Sequence, residues 1–324
     1  MHGLLFTLFD IPFPSYFVML VTGFVVATAI GALWARRLGH DPDTVVDLGI
    51  AMLIAGVVGA RLAHVIFDGY FWDYVHLCTN PSQVAWHIPR SQCLAPVEGD
   101  WLFGGSEGPL GIWDQAAGVC HPAGRDCWAW ARFMNGGLTY YGGFVGASLV
   151  AYWQLRRDRF PFWRAADMGG IVVPLGIGFG RMGCVLAGCC FGKPLNEPWA
   201  LVFPAHSPAA DKQLELGLLH SPTQASLPVH PTQLYESAGS FAIAAILMLW
   251  LHQRKRYDGH VFLAFVVAYA SLRFVLEFFR SDDRGGIWDL STSQWIGVLL
   301  VIAAALAHRR LASGPSRTGS STAA

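Results

Sequence analysis

The segment VHPTQLYES, residues 229–237, places polar side chains directly before a long apolar run. His230 could serve as a base near neutral pH or as a metal ligand. Gln233 and Glu236 share one helix face at i, i+3 spacing. A pore, a proton relay, a metal site or a lipid-headgroup site could each use these three side chains.

Arginines inside other apolar runs narrow this choice. Ionisable residues are costly in such segments, so Arg181 and Arg273 are functional candidates by default. Arg273, Glu277 and Arg280 follow i, i+4, i+7 spacing, so the glutamate can pair with either arginine. For Arg280, snorkelling to the membrane interface is an equal alternative. The planar fork of arginine binds phosphate oxygens in pairs, which favours a phosphate-containing headgroup.

Three cysteines, Cys184, Cys189 and Cys190, follow Arg181 closely. They could form a disulfide, such as Cys184 with Cys189, or act as small apolar packing residues. With His230 they would also make a plausible zinc set. Because the spacing CxxxxCC is not a common zinc signature, we predict no metal and no cofactor.

Composition identifies the kind of molecule that positions these residues. The 324-residue chain is 53% hydrophobic and 14% charged, whereas soluble domains carry about 25% charged residues. A formal net charge of zero, without a basic stripe, gives no support for nucleic-acid binding. The start of the chain lacks the basic region of a signal peptide.

We therefore predict an all-α integral membrane protein with seven transmembrane helices, each near the ~20 residues that a bilayer requires. Residues 1–311 are predicted to form the membrane domain, followed by a small, polar, disordered tail over 312–324. The spans lie near residues 16–35, 45–67, 137–155, 166–187, 232–251, 260–280 and 292–308.

Basic residues cluster in alternate loops and after the last span, which places those segments in the cytoplasm. The N-terminus is then periplasmic and the C-terminus cytoplasmic. Two sizeable loops, 68–136 and 188–231, face the periplasm. The first is an insertion whose four cysteines predict two disulfides of undetermined pairing, with four free thiols as the alternative. These cysteines are Cys78, Cys93, Cys120 and Cys127.

The deep charged residues share one level. At about 1.5 Å per residue, Arg61, Arg181 and Arg273 lie roughly 20–24 Å from the cytoplasmic ends of their spans. Tyr141 and His230 begin their spans at the same outer level. No chain of charges continues to the cytoplasm, which disfavours a transporter. For Arg61, a structural ion pair is an equal alternative.

Four motifs resemble those of the prolipoprotein diacylglyceryl transferase family. They are HPTQLYE at 230–236, GRMGC at 180–184 with Gly192 after it, LRFVLEFFR at 272–280, and GGLTYYGGFVGA at 136–147. The resemblance implies a seven-span enzyme of the bacterial inner membrane. Such an enzyme moves diacylglycerol from phosphatidylglycerol, a membrane lipid, to the lipobox cysteine of a prolipoprotein signal peptide and releases glycerol phosphate.

The resemblance also implies roles for individual residues. Arg181 and Arg273 correspond to essential arginines, Tyr16 to a first-span tyrosine, and Asp167 to an acidic residue opening span four, for which helix capping is the alternative. Together with the depth argument, the candidate headgroup-binding residues are Tyr16, Arg61, Asp167, Arg181, Cys184, Gly192, Gln233, Tyr235, Glu277 and Arg280.

The sequence departs from the family pattern at two places. Tyr141 replaces a histidine that precedes a Gly-Gly pair, and the stretch from Cys184 to Cys190 replaces an asparagine and a polar stretch. Tyrosine, with a reference pKa near 10, is a poor base unless an arginine lowers that pKa. Tyr141 could instead orient the phosphate, and His230 or Glu236 would then take the thiol proton.

The candidate catalytic residues are therefore Arg181, Arg273, Tyr141, His230 and Glu236. The alternative function is a membrane thiol oxidoreductase or metal-binding homologue that uses Cys184, Cys189 and Cys190.

Overall fold

A computed structural model describes the chain over residues 4–8, 11–37, 39–88, 90–97, 108–132, 137–281, 286–287 and 290–313. Gly136 of the glycine motif and residues 314–324 of the predicted tail lie outside these ranges. The chain forms two compact units. The first unit is Met1–Val46 with Arg159–Ala324, and the second unit is Asp47–Asp158.

Helices dominate the described residues. They are α1 (Ser15–Arg37), α2 (Pro42–Phe67), α3 (Phe71–Thr79), α4 (Arg90–Cys93), α5 (Tyr140–Arg157), α6 (Phe162–Ala187), α7 (Pro208–Glu215), α8 (Thr232–Ile246), α9 (His260–Glu277) and α10 (Thr292–Ala312). The helical path of α8 continues through a π turn, Leu247–Leu251, and a 3-10 turn, His252–Arg254.

The described strands are short and form antiparallel pairs. These pairs are β1 (Leu4–Leu8) with β2 (Ile11–Pro14), β3 (Pro96–Val97) with β4 (Gly108–Pro109), β5 (Gly111–Asp114) with β6 (Val119–Pro122), and β7 (Gly286–Ile287) with β8 (Leu290–Ser291). The large majority of the described chain is helical, as the sequence predicts.

Six of the described helices are long and apolar enough to cross a membrane, so the chain is a multi-pass membrane protein. These are α1, α2, α6, α8 with its extension to Arg254, α9 and α10. They coincide with six of the seven predicted spans. The remaining span corresponds to α5, an 18-residue helix that is not among the six. Its opening tyrosines and glycines and its closing arginines, Arg156 and Arg157, make it less apolar than the others.

The first unit is built around α6, which packs against α1, α8 and α9, while α10 packs on α9. Its core contains Ile171, Leu247, Val261 and Phe265. Between spanning helices, where lipid tails are as apolar as these side chains, close van der Waals packing stabilises such a core. The segment 188–231, predicted as an outward loop, contains α7 and its own buried apolar cluster. That cluster is formed by Phe203, Ala209 and Val229.

The second unit brings α2 and α5 together through glycines. A Cβ atom on Gly59 would lie 2.5 Å from the carbonyl oxygen of Gly142, and one on Gly142 would lie 2.3 Å from that of Gly59. The two backbones therefore approach more closely than any larger side chain permits.

The two predicted disulfides are present in the second unit, and the structure supplies their pairing. Cys78 bonds Cys127 and Cys93 bonds Cys120, closing separations of 49 and 27 residues. Both disulfides lie within the predicted insertion, residues 68–136, whose described part consists of short helices, turns and hairpins.

Candidate active site

Three helices of the first unit bring the predicted arginines and glutamates together. Arg181 lies in the last two turns of α6, Glu236 in the second turn of α8, and Arg273 near the end of α9. Because α8 and α9 both pack against α6, these residues meet at one end of the three helices.

Glu236 is the centre of this arrangement. Its side chain is 1% exposed, and its Oε2 atom lies 3.1 Å from Nε of Arg181 and 3.3 Å from Nη1 of Arg273. Its Oε1 atom accepts a hydrogen bond of 2.8 Å from the hydroxyl of Tyr269. One buried carboxylate therefore orients two guanidinium groups from different helices.

The charges extend along α9. Nη2 of Arg273 lies 3.2 Å from Oε2 of Glu277, the pair that the i, i+4 spacing predicts. Arg280 is 5% exposed, so it does not snorkel to a surface. Its backbone forms a bridge with Gly192, where a Cβ atom would lie 2.5 Å from the carbonyl oxygen of Phe279. Among the residues that the structure describes here, Arg181, Arg273 and Arg280 outnumber Glu236 and Glu277, which suits the binding of an anion.

The motif before α8 contributes packing and loop contacts. The ring of His230 packs against those of Tyr235 and Phe279, and its Nδ1 atom has no hydrogen-bond partner among the described residues. Gln233 is 1% exposed and donates through Nε2 to the carbonyl oxygen of Cys189 at 2.6 Å. Gln233 therefore fixes the loop that follows α6.

The three cysteines after Arg181 converge, but not as a disulfide. Cys184, Cys189 and Cys190 are all free, so the interpretation as a Cys184–Cys189 bridge is wrong for this structure. Their sulfur atoms lie within 4.8 Å of one another. His230 is not part of the group, so the alternative of a set of three thiols and an imidazole does not form.

Tyr16 begins α1 next to this group. A Cβ atom on Gly183 of α6 would lie 3.1 Å from the Tyr16 ring, and 43% of the tyrosine is exposed. The first-span tyrosine therefore lies beside the α6 turn that carries Arg181 and Cys184.

Asp167 lies at the opposite end of α6, about 21 Å from Arg181 along the helix axis. Its carboxylate accepts from the backbone N–H groups of Gly259 at 3.0 Å and Phe262 at 3.1 Å, and it pairs with Lys255 at 3.2 Å. These contacts cap the start of α9. Asp167 is therefore a cap, though of α9 rather than of its own helix, and lies too far from the arginines to share a headgroup with them.

Asp258 extends this network outside the spanning helices. Partial burial raises the pKa of its carboxyl, but hydrogen bonds from Lys255 and Arg164, both 2.9 Å long, outweigh burial and lower the pKa overall. The carboxylate stays ionised at neutral pH and ties the start of α9 to the start of α6.

Two predicted site residues belong to the second unit. Arg61 is buried and donates to the carbonyl oxygens of Trp130, Ala129 and Gly137 at 2.6–3.0 Å. Its Nη2 atom also donates to the hydroxyl of Tyr74 at 3.1 Å, so the contacts of Arg61 include backbone carbonyl groups and a tyrosine of its own unit. Tyr141 opens α5 and is 67% exposed.

Sequence reasoning missed Tyr269 and Thr232. Tyr269 precedes Arg273 by four residues, so helical spacing alone could have placed both on one face. Thr232 donates through Oγ1 to the carbonyl oxygen of Cys190 at 2.9 Å, a contact between residues 42 positions apart that no local pattern marks.

Comparison with known proteins yields one consistent match. The family model described as prolipoprotein diacylglyceryl transferase matches residues 4–88 and 121–309. Each of the following relatives is named phosphatidylglycerol–prolipoprotein diacylglyceryl transferase. The Clostridium tetani protein is 26% identical over 302 residues, which covers 93% of this chain and 94% of the relative. The Bordetella parapertussis protein is 31% identical over 311 residues, which covers 93% of this chain and 92% of the relative.

Proposed function

The chain belongs to the prolipoprotein diacylglyceryl transferase family, and on this premise we propose that it transfers diacylglycerol from phosphatidylglycerol to the lipobox cysteine thiol of prolipoproteins. The observation that carries the proposal is Glu236 holding Arg181 and Arg273 side by side. The comparisons give no support to the alternative function, a membrane thiol oxidoreductase or metal-binding homologue.

The arginine pair suits the phosphate of the lipid. The reaction displaces a phosphate ester from an sp³ carbon, so negative charge grows on the leaving glycerol phosphate. Fixed guanidinium groups in a region poor in water stabilise that charge more than water would. Arg181, with 21% of its side chain exposed, remains accessible to a headgroup while Glu236 fixes its orientation.

Gln233, Tyr235, Gly192, Glu277 and Arg280 complete the headgroup site in this proposal. Gln233 and Gly192 shape the loop after α6, and Arg280 adds positive charge. Tyr16 and Cys184 line the side of the same site that α1 and α6 form.

We assign removal of the proton from the lipobox thiol to residues in the outer half of the membrane. Tyr141 occupies the position of the family histidine and is proposed to orient the phosphate. His230, whose Nδ1 atom has no described partner, is the better candidate base. Glu236 is less suited to that task, because both of its oxygens already accept from neighbours.

We also propose the placement of the chain in the inner membrane, with α5 as the seventh span and residues 1–311 as one transferase domain. The basic ends of α1, α5 and α10 then lie in the cytoplasm. The segment that carries the disulfides faces the oxidising periplasm. The lipid headgroups of the outer leaflet and the signal-peptide cysteines lie on this side of the membrane.

Complementation of a bacterial strain depleted of its own transferase tests the function. Wild-type chain is expected to restore growth, whereas Arg181→Ala and Arg273→Ala, at equal membrane levels, are expected to fail. Arg164→Ala is the matched control, since its 48% exposed side chain pairs with Asp258 at the other end of α6. A wild-type chain that neither rescues growth nor lipidates lipobox peptides from its own organism would overturn the proposal.

A further inference from the structure

The three free thiols at the end of α6 form a group of which the proposed transfer uses only Cys184, as a lining residue. The sulfur atoms of Cys184, Cys189 and Cys190 lie within 4.8 Å of one another. Cys184 is buried and the other two are partly buried. They come together because the chain reverses after α6, with Gly188 at φ 74° and Cys190 at φ 61°. A non-glycine residue in that conformation is uncommon and indicates a backbone fixed by its surroundings.

Contacts from α8 hold this reversal in place. Thr232 donates to the carbonyl oxygen of Cys190 and Gln233 to that of Cys189, at 2.9 and 2.6 Å. The N–H of Cys189 donates to the carbonyl oxygen of Cys184 at 3.1 Å. These contacts fix the backbone of the loop, and the three sulfur atoms lie against one another.

Three thiolates at this spacing fit a zinc ion. A zinc–sulfur bond of about 2.3 Å places neighbouring sulfurs about 3.8 Å apart in tetrahedral geometry, and the three sulfurs here lie within 4.8 Å of one another. His230 lies outside the group. Three protein ligands leave a fourth position open, as in zinc sites that bind a water or a substrate.

The position of the group connects it to the transfer reaction. Cys184 follows Arg181 by three residues in α6, about one helical turn, so both lie at the same end of that helix. A thiol held at the sulfur group would therefore lie close to a phosphate held at the arginine.

We propose that Cys184, Cys189 and Cys190 bind a zinc ion whose open position takes the sulfur of the incoming lipobox cysteine. This role rests on the proposed transferase function and departs from our expectation from sequence that no metal is bound. A thiol coordinated to zinc loses its proton, so the site supplies the thiolate in a chain that has Tyr141 where its family has a histidine.

The step balances in atoms and electrons. The substrate thiol gives up its proton, to His230 or to solvent, as its sulfur binds zinc. A sulfur lone pair then forms the bond to the glycerol carbon of the lipid, while the bond from that carbon to the phosphate oxygen breaks. The electron pair of that bond leaves with glycerol phosphate, and the thioether product, a weak ligand, leaves the metal.

Zinc stoichiometry tests the site without reference to activity. Tag-free full-length protein, purified in detergent and reduced mildly enough to keep its disulfides, is titrated with zinc alone and analysed for bound metal. One zinc per chain is expected, together with loss of alkylation at three thiols. Binding is expected to fall at least ~10-fold in Cys184→Ser, Cys189→Ser and Cys190→Ser.

The control variant is His230→Ala, which lies outside the sulfur group and is expected to keep full zinc binding. Stoichiometric zinc in the triple serine variant would overturn the site. The same conclusion would follow from wild-type protein that carries three free thiols and binds no zinc.

A pH profile of peptide lipidation tests the role. A free thiol is only about 1% ionised two pH units below its pKa of about 8.5. Near pH 6.5, zinc-loaded protein is therefore expected to lipidate the peptide at least ~10-fold faster than metal-free protein. The lipidation rates of the two forms are expected to become equal near pH about 9, where a free thiol is largely ionised. Equal transfer by both forms at every pH would overturn the role and leave the transferase function standing. If neither form lipidates the peptide and complementation also fails, both the transferase function and the role of zinc in it are overturned. The zinc site itself is judged by the stoichiometry of bound zinc alone.

Discussion

Among single residues, Glu236 has the contacts that matter most, since it fixes two guanidinium groups at once. Replacing Glu236 by Gln keeps the side-chain shape and removes the charge that both arginines face. We expect lipidation to fall about 100-fold, the scale of loss when reacting groups are displaced by about 1 Å. The measurement is the initial rate on a lipobox peptide in phosphatidylglycerol micelles.

Tyr269→Phe is the matched variant for this residue-scale prediction. It removes one hydrogen bond to Glu236, worth about 1 kcal/mol, and should reduce the rate by less than about 10-fold. If Glu236→Gln transferred at the wild-type rate, the carboxylate could not be what orients the arginines.

Among elements, α9 depends on a cap that comes from another helix. Asp167 on α6 accepts the N–H groups of Gly259 and Phe262. Asp167→Ala leaves these donors and Lys255 without that partner, so we expect a loss of about 1–2 kcal/mol in stability. The measurement is thermal unfolding in detergent, with the specific activity of the folded fraction alongside.

The second measurement separates capping from headgroup binding. Asp167→Asn retains an acceptor and should unfold at a temperature between those of wild type and Asp167→Ala. Both variants should keep wild-type KM for the lipid once corrected for folded protein. A raised KM in stable Asp167→Asn would restore Asp167 to the headgroup site.

At the scale of the whole molecule, the number of spans decides where the two ends of the chain lie. Six helices qualify on length and apolarity, and α5 as a seventh places the termini on opposite sides of the membrane. We expect protease added to spheroplasts to remove an N-terminal tag and to spare a C-terminal tag. Lysed cells, in which both tags should be cut, provide the control, and equal sensitivity of both tags in spheroplasts would exclude seven spans.

Local patterns were sufficient for much of the molecule. Runs of apolar residues located six spanning helices, because the bilayer sets their length and composition. The i, i+4 spacing predicted the pair of Arg273 with Glu277. Four cysteines in one predicted outward loop indicated two disulfides, although not their pairing. The family motifs alone indicate the transferase.

Tertiary structure decided the contacts that cross between elements. Asp167 and Arg61 are good candidates by residue type and depth, yet both bind backbone groups of segments about 70–95 positions away. The convergence of three thiols depends on a chain reversal that α8 holds from more than 40 residues away. The physical reason is that periodicity determines which face of a helix is apolar, whereas the rotation and neighbours of each helix follow from packing of the whole chain.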